Sequence, residues 1–269
     1  MTAAREIAPA KLNLALHVRG KRNDGRHDIE TIFAFCTDGD RLSAEPADHF
    51  SLEVSGPFAA ELGDAEDNIV IAAARALRDV SGTSAGAAIH LDKRLPVASG
   101  IGGGSADAGA ALRLLTSLWG IDPGHAIAVA PQLGSDVPAC LLSLPVRGDG
   151  AGDELTPIDH AELSGKPVLL VNPRVQLATA DVFERWDSND GGPLGDWREG
   201  GNDLQDAAVS LAPQIETVLA MLALQPGAEA ARMSGSGATC FALFASDEAR
   251  DAAADQVPRE WWRLATSLR

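Results

Sequence analysis

Leu95-Pro96-Val97-Ala98-Ser99-Gly100-Ile101-Gly102-Gly103-Gly104-Ser105-Ala106-Asp107 is the stretch from which the rest of the chain can be read. Four glycines between Gly100 and Gly104 let backbone amides crowd an anion, and the segment after them, Ala108 to Trp119, has helical character. A glycine loop that opens into a helix presents unpaired N–H groups and the positive end of the helix dipole, which is a phosphate site. Two familiar versions are excluded. There is no GxxxxGK[ST], so the loop is not a Walker A motif, and Ser105 stands where GxGxxG needs its third glycine. Ser105 falls at the helix start, where its hydroxyl either caps the helix or contacts a phosphate or metal. Asp107, in the first turn, either complements the dipole or holds a phosphate-bound magnesium.

Upstream, Leu12, Leu14, Leu16 and Val18 alternate with Lys11, Asn13, Ala15 and His17, the periodicity of a strand. Lys11 and Asn13 therefore project to one face and address the same ligand or the same solvent. Asn23-Asp24-Gly25 is a turn signal that joins this strand to a second over Ile29–Phe35 as a hairpin. Short strands are expected at Arg41–Glu45 and Phe50–Val54. Asp67 and Asn68 then offer an N-cap to a helix over Ile69–Val80 that Ser81-Gly82 ends, and a strand over Ala87–Leu91 leads into the glycine loop.

Downstream, a helical segment from His125 to Gln132 precedes Leu133-Gly134-Ser135-Asp136-Val137-Pro138, a polar turn that carries a carboxylate, and then the apolar run Ala139–Leu144. The Gly- and Asp-rich tract Arg147–Thr156 reads as the softest part of the chain, giving expected domains of 1–152 and 153–269. The second half reads as strand (Pro167–Val171), helices (Ala180–Trp186; Asp203–Ala212 with Gln214–Leu224), strand (Thr239–Phe244), helix (Asp247–Ala254) and strand (Trp261–Thr266). That order suits a split βαβ, ferredoxin-like sandwich. Asp187–Gly201, rich in Asp, Gly and Asn, is expected to be a mobile surface loop. Met233-Ser234-Gly235-Ser236-Gly237-Ala238 lies inside this packed pattern, which calls for close backbone approach, with Gly235 and Ser236 as candidates for contact with a phosphate or Mg²⁺.

Composition bounds the function. Of 269 residues, 22 are Lys or Arg and 38 Asp or Glu, a net charge of −16, which is the wrong sign for holding nucleic acid or an anionic membrane by bulk attraction. Any phosphate site must be local. Cys36, Cys140 and Cys240 are odd in number and lack CxxC spacing, so they read as buried thiols. The first twenty residues carry Arg5, Glu6 and Lys11 without a signal-peptide apolar core, and no 18 apolar residues run together, so a cytoplasmic protein is expected.

Pro9-Ala10-Lys11-Leu12-Asn13-Leu14, the 95–107 loop and Ser234-Gly-Ser-Gly-Ala238 resemble, in order, the three motifs of the GHMP small-molecule kinases. Within that superfamily, Asp24-Gly25-Arg26-His27, Leu133–Pro138 and Gly201-Asn202-Asp203-Leu204 resemble the branch that phosphorylates the 2-hydroxyl of a cytidine-diphosphate-linked methylerythritol on the non-mevalonate route to isoprenoids. The resemblance implies a two-domain α+β kinase: a ribosomal S5 domain 2-like N-terminal domain, a ferredoxin-like C-terminal domain and an active site between them. It implies Lys11 and Asp136 as the catalytic pair, Pro96, Val97, Ala98, Ser99, Gly100, Ile101, Gly102, Gly103, Gly104, Ser105 and Ala106 as the ATP loop, and Mg²⁺ carried with ATP rather than on a dedicated protein site. Asn13, His27, Phe33, Thr179 and Phe183 are implied substrate contacts. The branch commonly has tyrosine, stacked on cytosine, where this chain has Arg26, and the chain has no tyrosine at all. An arginine plane can stack on a base too, which makes Arg26 a further substrate candidate. The alternatives are a homoserine, mevalonate-like or sugar kinase of the same superfamily, and a catalytically silent nucleotide-binding module.

Overall fold

The computed structural model describes residues 4–269; Met1 to Ala3, the start of the N-terminal segment read above, lie outside the described residues. Ten strands and eight α-helices follow in the order β1 (Ala4–Lys21), β2 (His27–Ala47), β3 (Ser51–Ser55), α1 (Ile69–Ser81), β4 (Gly86–Asp92), α2 (Gly103–Trp119), α3 (Pro123–Leu133), α4 (Val137–Leu142), β5 (Val146–Asp149), β6 (Glu154–Pro157), β7 (Pro167–Asn172), α5 (Thr179–Arg185), α6 (Gln205–Leu211), α7 (Gln214–Ala223), β8 (Ala228–Met233), β9 (Cys240–Phe244), α8 (Asp247–Asp255) and β10 (Trp262–Ser267). The described residues divide into two compact units, each assembled from separate pieces of chain.

One unit takes the N-terminal segment to Ala10, Asp38–Val97 and Gly102–Ser143. Here β4 pairs antiparallel with the second half of β2, from Arg41↔Asp92 to Ala47↔Gly86, and parallel with β3. The parallel β3–β4 pair needs a crossover, which α1 supplies. That helix begins where Asn68 accepts a hydrogen bond from the Val70 amide and ends at Gly82 in the left-handed region, as the cap residues predict. It buries Val70, Ile71, Ala73, Ala74 and Leu77 on one face. Helix α2 begins at Gly103, five residues ahead of the sequence expectation, because glycines and small polar residues carry no helical periodicity while a helix end packed by its neighbours tolerates them. Its interior is alanine-rich and almost entirely buried, which allows α1, α3 and α4 to pack closely around it.

The other unit comprises Lys11–Thr37, Ala98–Ile101 and Leu144–Arg269. The first half of β2 pairs antiparallel with β5 through Thr31↔Gly148, and β5 with β6 through Arg147↔Thr156. A separate four-stranded antiparallel sheet has the order β10-β7-β9-β8, the 4-1-3-2 arrangement of a ferredoxin-like sandwich. Leu169, Val171, Phe244, Ile215, Val218 and Leu222 anchor its core.

Several local expectations are corrected. Arg41–Glu45 is the continuation of one long strand, β2, rather than a strand of its own. The tract Arg147–Thr156 is a hairpin of β5 and β6, with Gly150, Gly152 and Asp153 in the turn while Val146 and Gly148 are buried in the strand. Strand β8, Ala-Glu-Ala-Ala-Arg-Met, is absent from the sequence reading because alanine has little strand preference, and its pairing with β9 decides its state. Asp187–Gly201 has no helix or strand but is tied down: Leu194 is 4% exposed, its amide donates to Glu30 Oε2 at 2.6 Å and its carbonyl accepts from Arg147 at 2.9 Å.

Candidate active site

Between Ala8 and Leu16 every residue of β1 is buried, so neither face of that stretch is solvated, contrary to the solvent alternative for Lys11 and Asn13. Lys11, at 4% exposure, donates from Nζ to Asn13 Oδ1 at 2.8 Å, and its ammonium stands 5.1 Å from the centroid of the Phe33 ring. A cation over an aromatic face gains electrostatic attraction where solvent is excluded. Asn13 Nδ2 donates to Thr31 Oγ1, which donates onward to the Ala15 carbonyl, at 2.8 and 2.7 Å. The chain of donors fixes the Asn13 amide so that its oxygen faces Lys11. Phe33 is wholly buried: a side chain at Gly148 would press within 2.7 Å of its ring, so the residue is held by the fold before any ligand arrives.

The start of the glycine loop and the Ser234–Ala238 turn interlock within the same unit. Ser234 Oγ accepts from the Asn13 amide at 3.1 Å and donates to the Gly100 carbonyl at 3.0 Å. The Thr239 amide donates to Ser99 O at 3.1 Å, and the Lys11 amide to Ile101 O at 3.0 Å. Gly100 has φ +76° and a Cβ there would sit 2.4 Å from Ser234 O; Gly235 has φ +55° and a Cβ there would sit 2.8 Å from Gly100 O. Both positions thus require glycine twice over, by backbone conformation and by close approach. Ser236, 7% exposed, pairs with Thr179 Oγ1 at 2.9 Å at the first turn of α5.

In the other unit, Pro96 is buried and the loop ends in α2, whose N-cap is Gly102 in the left-handed region, with the Ala106 amide donating to Gly102 O at 2.7 Å. Ser105 is therefore not the cap but lies in the first turn, partly exposed, and Gly104 is exposed beside it. Asp107 is buried, with Oδ2 2.6 Å from Lys93 Nζ and Oδ1 without a partner. Burial pushes its carboxyl well above the usual carboxylate range; Lys93 opposes and Asp40 adds to the rise. Burial alone would lower the Lys93 ammonium, but the two carboxylates outweigh it and its pKa is raised. Asp136 is the half-buried N-cap residue of α4, with no side-chain hydrogen bond into that helix. Helix α4 is held from its other end, where Arg113 Nη1 donates to the carbonyls of Cys140 and Leu141 at 2.6 and 3.1 Å.

In the unit that holds Lys11, His27 stacks on Phe183, with ring centroids 4.5 Å apart and planes 19° apart, and meets Trp186 edge-on at 6.0 Å. Burial, followed by the charge of Lys21, lowers the His27 pKa, which favours the neutral ring. Arg26 does not join this stack. Its guanidinium is exposed and donates twice to Asp24 Oδ2, at 2.9 and 3.1 Å, with Asp153 at 3.7 Å. The Arg26 amide, then its side chain, hold the Asp24 carboxyl below its ordinary value. The sequence reading missed the roles of Ser234, Thr31 and Asn202. Asn202 Nδ2 donates to the carbonyls of Met233 and Gly235, both at 2.8 Å, and so supports the turn that meets Gly100. The Gly201–Leu204 motif signalled Asn202; nothing in the sequence signalled Thr31.

Residues 68–143 match the GHMP kinases N terminal domain and residues 181–264 the GHMP kinases C terminal description. The chain belongs to the GHMP kinase family. A protein of Rhizorhabdus wittichii named 4-diphosphocytidyl-2-C-methyl-D-erythritol kinase is 55% identical over 98% of this chain and 94% of its own length. A protein of the same name from Novosphingobium aromaticivorans is 50% identical over 98% and 93%. Among solved structures, a crystal structure of 4-(cytidine 5'-diphospho)-2C-methyl-D-erythritol kinase superposes with a TM-score of 0.85 at 30% identity, covering 98% of each chain. A homoserine kinase from Cytophaga hutchinsonii shares the fold, with a TM-score of 0.71 at 19% identity over 100% and 95% of the two chains. As a GHMP kinase the chain has the two-domain α+β fold of that family and takes ATP as its co-substrate. Among the described residues no helix is long and apolar enough to cross a membrane.

Proposed function

We propose that this GHMP kinase transfers the γ-phosphate of ATP to the 2-hydroxyl of 4-diphosphocytidyl-2-C-methyl-D-erythritol. The observation that carries the reading is the 55% identity to a kinase of that name over nearly the whole of both chains. The stacked His27 and Phe183 rings add to it, since aromatic rings are faces on which a nucleobase can stack. In the reaction the hydroxyl oxygen bonds to the γ-phosphorus, the bond from that phosphorus to the ADP oxygen breaks, and the hydroxyl proton passes to Asp136 as general base. Lys11 offsets the charge that develops on the attacking oxygen, and Asn13 orients Lys11 through the 2.8 Å bond. Pro96 to Ala106 hold the triphosphate on backbone amides at the α2 N-terminus, with Ser105, Gly235 and Ser236 as further phosphate contacts. Asn13, His27, Phe33, Thr179 and Phe183 hold the acceptor.

Mg²⁺ fits this arrangement as a passenger on ATP, where it neutralises phosphate charge when bound. Among the described residues no three His, Cys, Asp or Glu side chains converge on a common point, and Asp107 already holds Lys93. In the same reading the protein works in the cytoplasm on small molecules, as a monomer or weak homodimer.

The test is coupled ATP turnover with 4-diphosphocytidyl-2-C-methyl-D-erythritol against homoserine, mevalonate and the uridine analogue. Turnover confined to the cytidine compound is the expected result. Turnover of homoserine or mevalonate instead would move the substrate, and ATP binding without turnover of any acceptor would make the chain a silent nucleotide-binding module.

A further inference from the structure

Three ionisable side chains in one unit are almost wholly shielded from solvent and have no part in the chemistry above: Asp40 is 0% exposed, Lys93 1% and Asp107 2%. The Lys93 ammonium donates to Asp40 Oδ2 and to Asp107 Oδ2, each at 2.6 Å. Asp40 turns its other oxygen to the backbone, where Oδ1 accepts from the amides of Arg94 and Leu95 at 2.5 and 2.8 Å. The Lys93 backbone is itself fixed, its amide donating to Ser55 O at 2.7 Å and its carbonyl accepting from Phe58 N at 3.2 Å. A Cβ built on Gly103 would lie 3.2 Å from Lys93 Nζ, so the ammonium sits against the first residue of α2.

The places these groups touch are the two ends of the glycine loop. Arg94 and Leu95 are the residues that lead into Pro96, and Asp107 lies one turn into the helix where the loop finishes. Glycine-rich chain loses more conformational freedom than any other when it is ordered, so amides that must converge on a triphosphate need their ends held. Stability alone does not explain the device, because a buried ion network is often no more stabilising than apolar side chains of the same volume. What apolar packing cannot do is bond two separate segments at one point with defined direction.

We infer that Lys93 is a positioning residue for the nucleotide loop, tying its entry through Asp40 to its exit through Asp107. The inference rests on the reading of residues 96–106 as the ATP loop. Bond count orders the contributions. Lys93 makes both ties, Asp40 receives three hydrogen bonds and Asp107 one. An asparagine at position 107 keeps an oxygen to accept the Lys93 bond, whereas alanine there cuts the tie to the helix.

The experiment measures KM for ATP and for the acceptor separately in the full chain carrying Lys93→Met, Asp40→Asn, Asp107→Ala, Asp107→Asn or Gly104→Val. Lys93→Met is expected to raise the ATP KM about 10- to 100-fold, the scale of a misplacement of roughly 1 Å, with Asp40→Asn and Asp107→Ala in the same direction and smaller. Asp107→Asn is expected to stay within about threefold, and the acceptor KM within about twofold throughout. Folded Lys93→Met with an unchanged ATP KM, or with both KM values raised alike, overturns the inference. Where Lys93→Met does not fold, Asp107→Ala decides in the same terms. Gly104 is exposed with open space at its Cβ position, so Gly104→Val obstructs the loop without touching Lys93. If that variant leaves the ATP KM unchanged, it is the loop reading that fails, and the inference falls with it.

Discussion

The glycine loop with its partners and the Asp24–His27 turn are both read from short motifs, yet they are held in opposite ways. Around Gly100 the backbone is closed on itself: Ser234 bridges two segments, Thr239 and Lys11 donate to Ser99 and Ile101, and side chains at Gly100 or Gly235 would strike backbone oxygens. Arg26 is held by ion pairs with solvent access, which contribute little to stability and rearrange easily. On the proposed reading, the contrast separates the part of this chain that holds ATP from the part that meets the acceptor. At the turn, a replacement of Arg26 disturbs no core contact. Next to Arg26, His27 is held by stacking on Phe183.

The contrast can be tested by substitution, beginning with the largest expected loss. Asp136→Asn removes the proposed base and should lower kcat by roughly 10²- to 10⁴-fold at near-normal stability; a variant retaining half the wild-type rate ends that assignment. Phe183→Ala removes a stacking face worth roughly 1–3 kcal/mol per base, so the acceptor KM should rise about 10- to 100-fold with the ATP KM unchanged.

Histidine 27 supplies the pH test. Its folded pKa lies below the ordinary value, so as pH falls the unfolded chain takes up the proton first and the fold loses stability from about 6.5 downward. Acceptor KM should accordingly be flat at neutral pH and rise in acid, and His27→Gln should abolish that rise. The smallest effect is expected at Arg26: Arg26→Ala should change acceptor KM by less than about threefold, in keeping with an exposed side chain paired to Asp24. An Arg26 effect larger than that of Phe183 would reverse the contrast.

Periodicity and caps were enough to place most elements. Asn68 and Gly82 bound α1 where expected, and the ferredoxin-like class of the second half was read correctly although one strand of its sheet, β8, was missed. The failures have a common cause, which is that neighbours distant in sequence decide the local state. Alanine-rich β8 is a strand because β9 pairs with it, and Arg147–Thr156 is ordered because β5 lies beside β2. Asp187–Gly201, read as mobile, is fastened by Glu30, Arg147 and Arg232; the Arg232 guanidinium donates to the carbonyls of Leu14, Trp197 and Arg198, each at 2.6 Å. At the site, Lys11, Asn13 and the loop were legible because chemistry restricts their residue types. Ser234 was legible only as part of a small-residue turn. Lys93 gave no signal, because nothing in a sequence reveals that a lysine lies between two buried carboxylates.

Both compact units are built from interrupted pieces of chain, and this governs the order in which the protein can be made. Lys11–Thr37 belongs with residues from 144 onward, and β10 must be present before Leu268 can bridge to Cys36 and the Arg269 amide can reach Phe35 O. On a ribosome adding about 5–20 residues per second, the early strands spend roughly ten seconds or more without the partners that complete their unit. Long-range pairings of that kind are slow to form, and an unpaired strand is open to wrong partners in the interval. Neither unit can be released by a single cut in the chain, and the unit that holds Lys11–Thr37 cannot be completed until β10 has been made.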